Sequence, residues 1–165
     1  MTVCEYVPIP DEACRRMLDG LEVKEGELVY DLGSGTGNIL IMAAKEYGAR
    51  CVGIEMSQRL VDWSLEDIKK LGLEDRITVI RENIFSPRFW AHLNGDDPLV
   101  IRNADVVTMY LTLQVQAALK ERLEKELKPG TRVGSYAFKL SGWKPVKEIP
   151  YEEAPIYIFE KGRSF

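Results

Sequence analysis

"VYDLGSGTGN", residues 29–38, decides how this chain is read. An apolar run ends in Asp31, after which Gly33, Gly35 and Gly37 alternate with small polar residues. A helical pattern follows at once in "NILIMAAKEYG", with Ile39, Met42, Ala43 and Tyr47 at helical spacing and Gly48 closing it. Glycines in such a turn let the backbone approach a ligand closely, since no Cβ stands in the way. Strand, tight loop and helix together form a cradle, and the glycine spacing restricts what it can hold.

Outward from this stretch the alternation repeats. Strand-like runs are expected at 27–32, 50–55, 76–82, 104–111 and 131–138. Ser57 is the expected N-cap of a helix whose apolar stripe is Leu60, Val61, Ser64, Leu65, Ile68 and Leu71, closed by Gly72. A further helix runs from about Gln114 to Leu127 and stops at Pro129-Gly130. The tail, "PVKEIPYEEAPIYIFEKG", reads as two final strands joined by a short turn. Strand–helix alternation predicts an α/β fold, a Rossmann-like, seven-stranded, mostly parallel sheet with helices on both faces and an antiparallel C-terminal hairpin. Segment 86–103 breaks the rhythm and is expected to be mostly loop, with one short helix around Phe89 to Leu93. Residues 11–19 form an expected helix covering one edge or mouth of the sheet. One domain results, with an N-terminal segment and helix (1–25), a cofactor-binding core (26–138) and the hairpin (139–165).

Composition narrows the setting. The 165 residues suffice for one sizeable core, and the net charge of −4 offers no broad field for nucleic acid. No apolar run approaches the ~20 residues of a membrane helix, and no signal peptide opens the chain, so a cytoplasmic protein without membrane attachment is expected. Cys4, Cys14 and Cys51 are scattered, which fits reduced thiols and argues against disulfides or a zinc site. His92, the single histidine, is expected to be structural or exposed, and no metal is expected. Glu121–Lys125 and Glu124–Lys128 are expected i,i+4 pairs on a solvated helix face. A monomer is expected.

The loop lacks the Lys-Ser or Lys-Thr pair that a triphosphate loop needs, because Asn38 and Ile39 follow Gly37. A dinucleotide fingerprint spaces its glycines G-x-G-x-x-G, and here the third falls one position early. The D-x-G-x-G-x-G spacing from Asp31 resembles motif I of class I S-adenosylmethionine (SAM)-dependent methyltransferases. The resemblance implies SAM as cofactor, bound by the loop residues Gly33, Ser34, Gly35, Gly37 and Asn38, with Asp31 near its ammonium group. Glu55 ends the next strand, 22 positions after Gly33, where a carboxylate can accept hydrogen bonds from both ribose hydroxyls, with Met56 beside it. Asn83 and Ile84 stand where this class usually edges the adenine ring.

The acceptor is read from the end of the fourth strand. Enzymes that methylate amino groups of adenine, cytosine or glutamine place [D/N/S]-P-P-[Y/F/W] there, and this chain has "DVVTMYLT". Arginine methyltransferases carry two glutamates after that strand, and residues 108–116 contain none. The blocks "EYVPIPDEACRRML", "VYDLGSGTGNILI", "ADVVTMYLTLQVQAALKERLEKELKPGTRVGSYAF" and "GWKP" together resemble the small archaeal protein lysine methyltransferases. Those are similar to the mitochondrial enzymes that modify the ATP synthase c-subunit and the adenine nucleotide translocase. The resemblance spans about residues 5 to 150 and implies transfer to lysine amines of broad protein substrates. It departs at Ile9, where the family usually carries a hydroxyl residue.

A free lysine is protonated at neutral pH, with a pKa of roughly 10.4, so the site must favour the neutral amine. Desolvation and a nearby sulfonium both do so, and aromatic walls exclude water and orient an ammonium. Tyr110 is the expected wall, with Thr108 and Thr112 as polar neighbours, and Tyr6 and Trp143 are candidates for the opposite side. The alternatives are methyl transfer to RNA or a small metabolite, and SAM binding without turnover.

Overall fold

β1 (Leu28–Leu32) is buried at every one of its five positions, as a central parallel strand covered on both faces must be. The computed structural model containing it describes residues 6–91, 97, 99–152 and 154–165. Around β1 lie β2 (Arg50–Glu55), β3 (Ile77–Arg81), β4 (Val106–Met109), β5 (Arg132–Tyr136), β6 (Lys147–Ile149) and β7 (Ile156–Glu160). They form a single sheet in the order β3-β2-β1-β4-β5-β7-β6. The first five strands pair in parallel, and β7 runs antiparallel to both β5 and β6. The expected seven-stranded, mostly parallel sheet is therefore present. The hairpin differs in one respect, since residues 150–155 join its strands in place of a short turn.

Alternate residues of the strands feed two apolar cores, one on each face. Val29, Cys51, Ile77, Val106, Ile156 and Ile158 point into the first, together with Ala13, Met17 and Leu18 of α1 (Asp11–Gly20) and Leu40 and Ala43 of α2 (Asn38–Tyr47). Tyr30, Leu32, Val52, Val107, Met109 and Phe159 point into the second, with Leu119 and Leu123 of α5 (Leu113–Glu126). α3 (Gln58–Lys70) buries Leu60, Val61, Ser64 and Ile68. Among the described residues, no helix is long and apolar enough to cross a membrane.

Some local expectations shift. The short helix α4 spans Pro87–Ala91, two residues earlier than expected, because Pro87 suits a first helical turn. His92 and Cys4 lie outside the described residues. Ser57 occupies the N-cap of α3 but makes no side-chain cap bond, and Trp63 stands half exposed with its indole N–H on Asp67. Lys128 turns away from Glu124 to the β4-flanking Asp105, at 2.7 Å. That carboxylate also accepts the N–H of Leu28, a more fixed partner than an exposed helix acid.

α1 reaches the sheet across Gly134 of β5. A Cβ at 134 would stand 2.9 Å from Leu21 Cδ1 and from Met17 Cγ and Sδ, all on fully buried side chains. Gly134→Val is therefore expected to cost about 1–3 kcal/mol through overpacking. The measurement is a urea unfolding curve, whose midpoint should fall while its slope stays unchanged.

Candidate cofactor and acceptor site

The sheet order reverses direction at β1, which pairs with β2 on one side and β4 on the other. Ligands of open α/β sheets bind at the carboxyl ends of the strands at such a point. The glycine loop begins there. The N–H groups of Gly33 and Ser34 both donate to the carbonyl of Ile54, at 2.9 and 3.0 Å, which draws the loop towards the end of β2. Gly37 caps α2 with φ 84°, a left-handed conformation that a side chain would strain.

Glu55 is fastened at the end of β2. Its Oε1 accepts the Gly35 N–H at 2.9 Å and its Oε2 the Ser57 N–H at 2.8 Å. Each carboxylate oxygen keeps acceptor capacity for one hydroxyl of a diol. Met56, next in the chain, is largely exposed. At the end of neighbouring β3, Ile84 is half-buried and Phe85 exposed, so apolar side chains stand at the ends of both strands. Asn83 closes a local turn, its Oδ1 accepting the Phe85 N–H at 2.9 Å.

Asp31 lies 3% exposed at the floor of the site. The Thr108 hydroxyl donates to its Oδ1 at 2.8 Å. Burial pushes the carboxyl up to about 7 against the pull of that hydrogen bond, and the charge of Glu55 pushes in the same direction as burial. Among the described residues no cationic side chain contributes to its state. A ligand bearing an ammonium or sulfonium supplies the missing positive charge. The buried hydroxyl of Ser34, in the loop above, has no hydrogen-bond partner among the described residues. Diol acceptors, apolar flanks, an uncompensated buried acid and an unused loop hydroxyl together fit SAM. Among the described residues no group of His, Cys, Asp or Glu side chains is placed to hold a metal ion.

Aromatic side chains gather past the ends of β4 and β5, where the acceptor is expected. Tyr110 follows β4, with its ring edge-on to Tyr136 at 4.8 Å and stacked on Phe138 at 6.3 Å. Tyr136 continues the wall to Tyr151, 6.3 Å away, whose own face carries the Arg16 guanidinium at 5.5 Å. Ala137, between two of these rings, has φ 69°, strained for a residue with a Cβ, and its N–H donates to the carbonyl of Pro155.

The other expected pocket residues are placed differently. Thr108 is fully buried and its hydroxyl serves Asp31, so it supports the acid and does not line a pocket. Thr112 is half-buried at the N-cap of α5 and makes no side-chain cap bond. Tyr6 lies on the glycine loop, where a Cβ on Gly35 would come within 2.2 Å of its ring. Its hydroxyl pairs with Thr36 Oγ1 at 2.7 Å and accepts the Thr36 N–H at 3.2 Å. Trp143 does not face Tyr110. It is buried in the second core, stacked on Phe165 at 3.6 Å, with its N–H on Glu124. Ile9 is 5% exposed in the first core and anchors the N-terminal segment by apolar burial. The sequence pattern does not single out Tyr136, Phe138, Tyr151, Phe85 or Thr36. The i,i+2 pair of aromatics in "SYAF" is the legible signal for two of them.

Fold and site are those of a class I SAM-dependent methyltransferase. The chain belongs to the ANTKMT methyltransferase domain family, whose model matches residues 31–147. It is 40% identical to a protein-lysine N-methyltransferase of Saccharolobus islandicus (strain REY15A), over 95% of this chain and 93% of that protein. It is 28% identical to the adenine nucleotide translocase lysine N-methyltransferase of Mus musculus over 87% of this chain, and spans 57% of that longer protein. Among solved structures, an RNA methyltransferase from Salinibacter ruber in complex with S-adenosyl-L-homocysteine superposes with a TM-score of 0.82. That match covers 93% of each chain at 35% identity.

Asp31 gives a pH prediction. Its carboxyl is raised in the folded state, so between about pH 4 and 7 the folded chain holds a proton that the unfolded chain releases. Stability from this group is thus lost as pH rises through that window. Asp31→Asn is expected to raise the melting temperature of the ligand-free protein at pH 8 by a few degrees, with the gap closing by pH 4.5. SAM should then stabilise the parent much more than the variant. Equal melting temperatures at both pH values would contradict the assignment.

Glu55→Ala is expected to weaken SAM binding by roughly 10- to 100-fold, the loss of hydrogen bonds to a charged acceptor. Isothermal titration measures this directly.

Proposed function

We propose that this chain is a SAM-dependent protein-lysine N-methyltransferase. The observation that carries the reading is the aromatic wall of Tyr110, Tyr136 and Phe138 at the carboxyl ends of β4 and β5, beside the acid at the end of β1. The extensive identity to the Saccharolobus enzyme supports it.

When bound, SAM supplies an electrophilic methyl group on a sulfonium. The chain's residues bind and orient it. Glu55 would accept hydrogen bonds from the ribose hydroxyls, Met56 and Ile84 would flank the adenine with Asn83 at its edge, and Asp31 would offer a negative charge to the ammonium. The loop from Gly33 through Ser34, Gly35 and Gly37 to Asn38 and the first-turn amides of α2 serve the carboxylate. Tyr110 and its neighbours exclude water from the incoming lysine and lower the preference of its amine for the charged form. The amine loses its proton to solvent on the way in. The neutral amine's lone pair would then be free to take the methyl group that SAM would supply, giving a methylated ammonium and leaving the sulfur as a thioether. Burial and neighbouring phenols raise the pKa of Tyr136, so it stays protonated and lines the wall as a neutral group.

Partners are proteins with accessible lysines, met by a monomer in a reducing, cytoplasmic setting, as the scattered thiols suggest. Transfer to RNA is a second reading, favoured by the likeness to the Salinibacter RNA methyltransferase. The net charge of −4 opposes it.

The test incubates the purified protein with labelled SAM and either a mixed lysine-bearing protein pool or RNA, and maps the modified atoms. Label on lysine Nζ is expected, and label on RNA alone would replace this reading with the second. Tyr110→Ala is expected to lower turnover tenfold or more with the SAM dissociation constant within threefold of the parent. Unchanged turnover would remove Tyr110 from the acceptor pocket.

A further inference from the structure

The two segments that carry the acceptor wall are joined by one buried polar bridge. Gln116, in the first turns of α5, is 1% exposed. Its Nε2 donates to the carbonyl of Leu111 at 3.1 Å and to the hydroxyl of Ser135 at 2.7 Å. That hydroxyl in turn donates to the carbonyl of Phe138 at 2.6 Å. The proton directions form one consistent set. Ser135 spends its only proton on Phe138, so it can receive Gln116 only as an acceptor, and Leu111 also needs a donor. Both bonds require the NH2 end of the amide, which fixes its orientation.

The amide Oε1 is left buried without a partner among the described residues. An orphaned buried carbonyl is costly, and a core position with no polar task is better filled by leucine or methionine. Leu111 adjoins Tyr110, and the other end of the bridge is Phe138, which stacks on Tyr110. The bridge therefore sets the spacing of the wall's two rings.

We infer that Gln116 is a positioning residue for methyl transfer, holding Tyr110 and Phe138 in register through Leu111 and Ser135. This rests on the acceptor pocket proposed above. Gln116 contacts neither the glycine loop nor Glu55 in its hydrogen bonding, so its effect falls on the acceptor side. Misplacement of a reacting group by about 1 Å can cost on the order of 100-fold in rate, so a loosened wall is a kinetic fault before it is a binding fault.

The test compares the parent with Gln116→Met, similar in volume and lacking the amide, in single-turnover transfer to whichever acceptor the parent itself modifies. The expected rate is tenfold or more below the parent, with the SAM dissociation constant within twofold. Ser135→Ala, which removes the outer half of the bridge, is expected to give a smaller loss of the same kind. Adding Gln116→Met to Phe138→Ala should cost clearly less than Gln116→Met costs the parent, because one of the amide's two arms acts through that ring. A parental rate in Gln116→Met, a loss of SAM affinity as large as the loss of rate, or full additivity with Phe138→Ala would each overturn the inference. If Gln116→Met does not fold, Ser135→Ala carries the test, and a parental rate there overturns it. A parent that modifies RNA and no lysine refutes the lysine reading separately, since the bridge is still judged on that acceptor.

Discussion

The buried carboxylate of Asp31 is the constraint around which the site is arranged. It stands at the one place in the sheet where β1 separates strands running off in both directions, and both neighbours contribute to its setting. From β4, Thr108 orients it with a hydroxyl. From β2, Glu55 adds a second negative charge that makes ionisation harder. A carboxyl buried without a cation destabilises the empty fold. The arrangement becomes favourable when a cation arrives, so part of the folding free energy is exchanged for affinity towards a positively charged ligand. The glycine loop then has a simple physical role. It must approach that ligand closely and must also be held near β2, which the paired bonds to the Ile54 carbonyl accomplish.

The proposed acceptor side is built on another plan. Its aromatic rings come from the end of β4, from β5 and the residue pair after it, and from the connection between β6 and β7, with Arg16 of α1 behind. The N-terminal helix and C-terminal hairpin thus lie outside the cofactor half but brace the wall. Gly134, which lets α1 press against β5, belongs to the same construction.

This difference governs what the sequence could reveal. Asp31, the glycines and Glu55 form a local pattern across two successive strands, and their placement follows from strand ends alone. Thr108 and Tyr110 share a face by alternation, yet one lies inside the sheet and the other beyond its end. Depth along a strand is set by its neighbours, which no single-strand pattern contains. Trp143 illustrates the same limit. Its face depends on the path from β5 into the hairpin, and that path delivers it to the second core beside Phe159 and Phe165. Ile9 is not legible as a core residue, because its burial against the first core appears only when the N-terminal segment is folded back on the sheet. Gln116 carries no signal at all, since a glutamine in a charged amphipathic helix reads as surface.

The hydrogen bonding at the mouth of the wall bears on what kind of amine it suits. A planar amino group on a nucleobase is gripped by backbone carbonyls that accept its N–H groups. Here two carbonyls of the segments that carry the rings, those of Leu111 and Phe138, each already accept a hydrogen bond, from Gln116 and Ser135. The ring surface beside them attracts a cation on an alkyl stem and makes little demand on the orientation of its hydrogens. A flexible, aliphatic amine meets those terms better than a base edge does.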